Sequence, residues 1–296
     1  MKYAWMEKNK LLWPVCVQCR VLGVSVSGYR QHQARRKKIL TRRHLSETAL
    51  VVEIRAVYAA ARGAYGWPRV WRQLKAQGIR VGKLRVQRTM QVEGLRARGR
   101  RRFRVVTTDS NHALPITPNL LARNFTASAP NTVWVGDMTY ISTEQGWLYL
   151  AVVLDLFSRR IVGWSMGGAI TAELACCALE MAWQQRSPNS GLIFHSDRGS
   201  QYASRGYTEL LASHEIKASM SRKGNCWDNA CSETLFGSLK VERLHGEQFK
   251  THREGKDAVI QWLFWYNRSR MHSTLGYLSP AQFEQRANAR QHALAA

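Results

Sequence analysis

Between Thr132 and Met166 the chain passes through three apolar segments separated by turn-forming residues. The first spans 132–142, and Gly146 marks the turn after it. The second, Trp147 to Leu156, is too apolar to be exposed on either face. Asp155-Leu156-Phe157-Ser158-Arg159-Arg160 then closes a hairpin into the third, Ile161 to Met166. Short apolar runs joined by tight turns predict consecutive antiparallel strands buried under other elements. A helical pattern follows over 171–186, with Leu174, Cys177, Ala178 and Met181 as its inward face. Next come an apolar run ending in His195-Ser196-Asp197, a helix over 204–214, a short stretch Ile216 to Met220, and a helix over 228–243. Three antiparallel strands followed by alternating helix and strand predict an α/β sheet covered on both faces.

Three acids sit at telling places in this pattern. Asp137 lies in the first strand, Asp197 ends the strand Leu192-Ile193-Phe194-His195-Ser196, and Glu233 lies on the last helix. Acids on two neighbouring strands and one helix can converge at a sheet edge. Oxygen-only ligands favour Mg²⁺, with Mn²⁺ as a substitute. Two such cations about 3.5–4 Å apart would clamp the attacking and leaving oxygens of a phosphodiester. In that arrangement Asp137 bridges both cations, while Asp197 and Glu233 each hold one. Without metal, three crowded carboxylates repel, which predicts disorder or partial protonation. Helical geometry favours Glu233 over its neighbours. Cys231, Leu235 and Leu239 form an apolar stripe, and Glu233 points away from it. Lys240 falls within about 20° of Glu233 on a helix of 3.6 residues per turn, and Gly237 between them leaves room for a phosphate backbone. Asp228 is better placed as an N-cap, and Glu242 lies on another face. Against this stands the plain alternative: 20 acids yield many triples, and acids ending strands are often caps, as Asp155 is read to be.

Charge divides the chain. Of the net +24, residues 1–130 carry 27 Lys and Arg against 5 Asp and Glu; residues 131–296 carry 17 against 15. A solubilising surface would not be so one-sided, whereas a nucleic-acid-gripping front with a near-neutral body would. Within the front, residues 14–30 read as a helix-turn-helix with Gly23 at the turn and a serine cap, followed by a basic connector over 31–43. A helix capped by Ser46 spans 46–61, and Gly63-Ala64-Tyr65-Gly66-Trp67-Pro68 turns into a helix ended by Gly78. Another helix over 83–93 pairs Val86 with Met90 and sets Arg85 and Arg88 on a separate face. Helix, glycine turn, helix with a basic face is a layout that reads a DNA groove, although a plain helical bundle shares the apolar pattern. Arg96, Arg98, Arg100, Arg101, Arg102 and Arg104 crowd six cations into nine residues, a run that favours nearby phosphates. Arg222 and Lys223, just before the last core helix, are further candidates to grip DNA.

The domain boundaries expected are a basic helix-turn-helix-like segment over 1–45, a second helical DNA-binding domain over 46–104, and a Thr/Ser/Asn/Pro-rich linker over 105–131. A catalytic core over 132–245 and a helical extension over 246–296 with a frayed tail complete the chain. No apolar run approaches the roughly 20 residues of a membrane helix, and the patch Leu11 to Val17 is broken by Pro14, unlike a signal peptide. The six cysteines read as reduced intracellular thiols, and Cys16-x-x-Cys19 as a helical face rather than half a zinc site. His195 reads as a hydrogen-bonding residue of the fold rather than a proton shuttle. Trp262, Phe264, Trp265 and Tyr266 read as core rather than base-stacking groups. His272 and Arg268 are open to either a phosphate contact or a surface-helix role.

The set WVGDMTYI, LDLFSRRIVGW, FHSDRGSQY, WDNACSETLFGSLKVERL and YNRSRMHSTLGYLSP resembles the DDE-type transposases of bacterial insertion sequences, and in particular their second-frame (OrfB) products. CRVLGVSVSGYR and YGWPRVWRQLKAQGIRVGKLRVQRTMQVEGL resemble the helix-turn-helix front of the same proteins. The resemblance covers about residues 14–285. It implies an RNase H-like core, similar to that of retroviral integrases, with a mixed five-stranded sheet behind an all-α DNA-binding region. It also implies Mg²⁺, catalytic acids at Asp137, Asp197 and Glu233, and a basic partner at Lys240. The partners implied are double-stranded DNA, both terminal repeats and target, and a first-frame protein joined or paired with this one. Synapsis of two ends implies at least a dimer, and the setting implied is the bacterial cytoplasm at the nucleoid. An RNase H-like nuclease for hybrids, or a DNA-binding regulator on an inactive core, are the alternatives. The first leaves the helix-turn-helix front without a purpose; the second leaves the three acids without one.

Overall fold

The computed structural model describes residues 2–37, 46–99, 114–122, 124–222 and 229–295. The chain divides into two units, Met1–Val57 with Val70–Gly94, and Tyr58–Arg69 with Leu95–Ala296.

The first unit is helical. α1 (Lys2–Lys8), α2 (Val15–Leu22) and α3 (Val26–Lys37) enclose a small core of Met6, Cys19 and Tyr29. Gly23 ends α2 in the left-handed region at φ 60°. Ser25 Oγ then accepts from Gly28 N at 3.0 Å and caps α3. In α4 (Glu47–Ala60), Leu50, Ile54 and Val57 recur at helical spacing and are buried. Ser46 Oγ accepts from Ala49 N at 3.1 Å, as expected of its cap. α5 (Trp67–Ala76) buries Val70 and Leu74, and α6 (Lys83–Val92) buries Val86, Thr89 and Met90.

The second unit is built on one five-stranded sheet. β1 (Val133–Thr143), β2 (Gly146–Asp155) and β3 (Ile161–Gly167) are antiparallel neighbours. β4 (Ile193–Ser196) and β5 (Lys217–Met220) add on in parallel, giving the order β3-β2-β1-β4-β5. One face carries α7 (Ala172–Arg186) and α8 (Arg205–Ser213), whose apolar residues pack with Trp134, Met138 and Phe194. The other carries α9 (Ala230–Leu239) and α10 (His252–Arg268), which pack with Ile141, Leu150 and Val152. The mixed sheet with helices on both faces is therefore the one expected. Asp155 is structural: it is fully buried and accepts from Asn131 N, Phe157 N and Ser158 N. Among the described residues no helix is long and apolar enough to cross a membrane.

Three local expectations change. α7 turns Leu174, Ala175, Ala178, Leu179 and Ala182 inward, while Cys177 is exposed. The reason is close approach: a Cβ on Gly163 would lie 2.2 Å from Ala178 O and 2.8 Å from the Ala182 Cβ. The alanine stripe seats α7 directly on the β3 backbone, and larger residues are excluded. Gly163→Ala should therefore cost about 1–3 kcal/mol, read as a lowered urea midpoint. Gly206→Ala, on α8 with open space around it, should be neutral or slightly stabilising. The last core helix does not stay α-helical to 243, because a π turn takes over at Lys240–Leu244. Finally, where a frayed tail is expected, a helix, α11, runs from Pro280 to Ala295.

Candidate active site

Sheet register brings the first two acids together. β1 and β4 pair in parallel with Val135 opposite His195. Asp197 follows directly after β4, two residues beyond that last pair as Asp137 is on β1, and it is close enough to raise the pKa of Asp137. Gly136 makes the approach possible, since a Cβ there would lie 2.3 Å from the Phe194 ring. Alternation along β1 sends Trp134 and Met138 into the α7 face and so turns Asp137 toward the α9 side, where Glu233 resides.

Asp137 is half-buried. Its Oδ1 accepts from Met138 N at 2.7 Å and its Oδ2 from Asn229 Nδ2 at 2.9 Å. The protein packed around it pushes its carboxyl well above the usual range. Asp197 and Glu233 push the same way, and the two hydrogen bonds oppose them. Asp197 Oδ1 accepts from Gly199 N at 2.9 Å, which holds the carboxylate against the turn that follows β4. Glu233 is exposed in the first turn of α9, at the mouth of a cavity of 680 Å³. The cavity walls displace part of its hydration and raise its pKa.

Gly237 and Lys240 line the same cavity as Glu233, together with Tyr140 and Trp147. Lys240 Nζ lies 4.4 Å from the centre of the Tyr140 ring. Burial lowers its pKa, and Asp137 partly offsets that. Asp137 therefore senses Asp197, Glu233 and Lys240 at once. The four groups share one electrostatic neighbourhood. The carboxylates are nonetheless not gathered into a ligand cage: among the described residues no three His, Cys, Asp or Glu are placed to hold a metal ion. The donor set is still all oxygen, and Asp137 carries an unrelieved cost of charge. Both features suit a hard divalent cation.

Asn229, which sequence reasoning overlooked, is buried and bridges the start of α9 to Asp137. Its Oδ1 has no hydrogen-bond partner. Its place one residue before α9 is the sequence signal for it, where the pattern alone favours Asp228 as the cap. Asp228 lies outside the described residues, as do Arg100, Arg101, Arg102, Arg104 and Lys223. Of the other candidate DNA contacts, Arg85 pairs with Glu47 at 2.9 Å, while Arg88, Arg96, Arg98 and Arg222 are exposed.

His195 is fully buried with Nδ1 2.9 Å from Ser219 Oγ, a role within the fold. Trp262 and Tyr266 are core residues, whereas Phe264 is exposed beneath the Arg268 guanidinium. Burial and the neighbouring Arg270 push His272 down to about 3, so it is neutral at physiological pH and offers phosphates no charge. Glu242, on a different face from Glu233 as expected, is the hub of a buried ion cluster. Arg270 binds it through Nε and Nη2 at 2.7–3.0 Å, Trp262 Nε1 donates to it at 3.3 Å, and Arg69 approaches to 3.5 Å. Arg270 also donates to Ser238 Oγ at 3.0 Å, tying α9 to the π turn.

Family comparisons agree with this architecture. Two integrase core domain models match residues 127–226 and 214–280, and an HTH-like domain model matches 45–103. The transposase InsF of insertion sequence IS3A from Escherichia coli strain K12 is 44% identical over 286 residues, covering 96% of this chain and 98% of that protein. An uncharacterized 31 kDa protein of insertion element IS600 from Shigella sonnei is 43% identical, over 90% of this chain and 97% of that one. Among solved structures, the simian T-cell lymphotropic virus intasome in complex with PP2A regulatory subunit B56 gamma matches with TM-score 0.45 at 18% identity, over 60% of each chain. With both the helix-turn-helix front and the integrase-type core matched along nearly its whole length, this chain belongs to the IS3-family insertion-sequence transposases.

Proposed function

We propose that this DNA transposase works through Asp137, Asp197 and Glu233, with Mg²⁺ held between them. What supports the reading is the convergence of the three acids on one electrostatic neighbourhood, with Asp137 poorly stabilised as a lone anion. Mg²⁺, once bound, supplies charge stabilisation to the attacking and leaving oxygens of the phosphodiester. Asp137, Asp197 and Glu233 are the residues that would hold the cations, through carboxylate oxygens suited to a hard divalent ion. Asn229 Nδ2 donates to Asp137 Oδ2 and so ties the start of α9 to the acid on β1. Lys240, beside Glu233 along the cavity, holds a DNA phosphate.

Two displacements then use one site. In the first, a water oxygen forms a bond to phosphorus at the element end, the P–O3′ bond breaks, and the departing 3′-oxygen takes up a proton. In the second, that 3′-hydroxyl loses its proton as its oxygen forms a bond to phosphorus of a target phosphodiester, the target's own P–O3′ bond breaks, and the departing 3′-oxygen takes up a proton. No covalent bond to the protein is needed. The helical front, with Arg85, Arg88, Arg96, Arg98, Arg100, Arg101, Arg102 and Arg104, grips the terminal repeats, and Arg222 and Lys223 the target. The assembly is at least a dimer on DNA, joined or paired with a first-frame protein, at the nucleoid. The domain limits proposed are those set by composition, with the catalytic core over 132–245.

Strand transfer on terminal-repeat DNA tests the central claim. Glu233→Gln should bind the DNA as the parent does, yet lose at least a thousandfold in strand transfer, a loss equal to about 4 kcal/mol of transition-state stabilisation. Unchanged strand transfer would remove Glu233 from the chemistry.

A further inference from the structure

Away from the carboxylates, three arginines converge on a second recess. It measures 500 Å³ and is lined by Tyr58, Arg62, Gly63, Arg98, Arg243 and Glu247, among others. Arg243 forms the half-buried floor, and Arg62 and Arg98 are exposed at the rim. Two carboxylates lie near. Glu242 is already taken by Arg270, which leaves Glu247, 3.5 Å from Arg243, against three guanidinium groups. Arg62 Nη2 donates to the neutral Gln261 Oε1 at 3.1 Å and Arg243 Nε to Ala258 O at 3.3 Å, so among the described residues Glu247 is the one carboxylate paired with these three arginines.

The backbone points the same way. Gly63 N bonds to Tyr58 O at 2.9 Å and Arg62 N to Ala59 O at 2.8 Å, the paired closure that ends a helix with a left-handed residue. That residue is Arg62 at φ 49°, where glycine or asparagine would be unstrained. Arg98 N bonds to Gly63 O at 3.2 Å, so the two rim arginines are fixed to one turn. Burial, Arg62 and Arg98 all push the Arg243 guanidinium below its usual range. Planar donors gathered at one spot with too little negative charge are an anion site in waiting.

We propose that the Arg62–Arg98–Arg243 recess binds a phosphate of the DNA backbone. Arg243 lies in the π turn that directly continues α9. A phosphate held here would anchor the duplex at the far end of the helix bearing Glu233. The inference rests on the chain's handling of DNA and is independent of the carboxylate chemistry.

The test measures binding of the full chain to a short labelled DNA duplex without divalent cation, across about 50–200 mM salt. Arg62→Gln with Arg98→Gln, both exposed and so tolerated by the fold, should make the slope of log K against log salt shallower by about 0.9, the share of one phosphate. Affinity at fixed salt should fall about tenfold. Arg243→Lys should keep the slope, because the charge remains, and lose affinity, because the fork is gone. Arg205→Gln, an exposed arginine paired with Glu209 on α8, should change neither. A parental slope in the rim variant, or an equal change in Arg205→Gln, overturns the proposal. Because no metal is present and no strand is cut, either result leaves the carboxylate mechanism standing or falling on its own assay.

Discussion

Asp137→Asn should abolish strand transfer and, at the same time, raise the melting temperature of the metal-free protein. The two effects have one cause. Burial and the acids Asp197 and Glu233 raise the folded-state pKa of Asp137 above its unfolded value. Between those two values the folded protein holds more protons than the unfolded chain, so stability falls as pH rises through that window. Above the window the whole penalty is present. Asparagine removes the charge and hence the penalty. Its amide can be accommodated because Asn229 has an unpartnered buried Oδ1 that a side-chain flip would present to the new N–H. Each 1 kcal/mol relieved is worth about 2–4 °C in a unit of this size, and the variant's stability should depend less on pH. Thermal melts at pH 5 and pH 8 with EDTA, beside a strand-transfer assay, check both halves. A variant that melts lower than the parent at pH 8 would contradict the electrostatic account. Mg²⁺ should stabilise the parent by mass action and the variant much less.

Arg270→Met is expected to be the most damaging single change away from the acids. Arg270 and Glu242 are 5% and 7% exposed, and removing one partner leaves a buried uncompensated charge, which costs about 3–5 kcal/mol. The urea transition of the catalytic unit reads this, kept separate from that of the helical front because two units need not unfold together. Pairing the change with Glu242→Leu should recover most of the loss, since an apolar pair of similar volume replaces the ion pair without its desolvation cost. Recovery should be incomplete, because Trp262 Nε1, Ser238 Oγ and Arg69 lose a partner. Strictly additive losses in the double variant would mean that the two side chains do not act as a pair.

Much of the architecture was legible because it depends on period and punctuation. The alternation and turns of 132–166 specify three antiparallel strands whatever lies elsewhere. An apolar run halted by Asp197 specifies a strand that delivers an acid to the sheet edge. The face shared by Glu233, Gly237 and Lys240 follows from helical geometry, and all three do line one cavity. Misreadings arose where one element's environment is set by another. Cys177 is as apolar as its neighbours, but the stripe that faces β3 is chosen by the absence of a side chain at Gly163, far away in sequence. Glu242 and Arg270 look like ordinary surface charges, and only the packing of α10 against the π turn buries them together.

The sequence by itself determined the elements, the sheet they build and the residue types brought to its edge, because local sterics and burial patterns act over a few residues. Only the tertiary structure decided which charges are buried, which acids sense one another and which arginines meet. Those outcomes depend on distance and dielectric between segments remote along the chain, such as Asn229 against Asp137, Arg270 against Glu242 and Arg62 against Arg243.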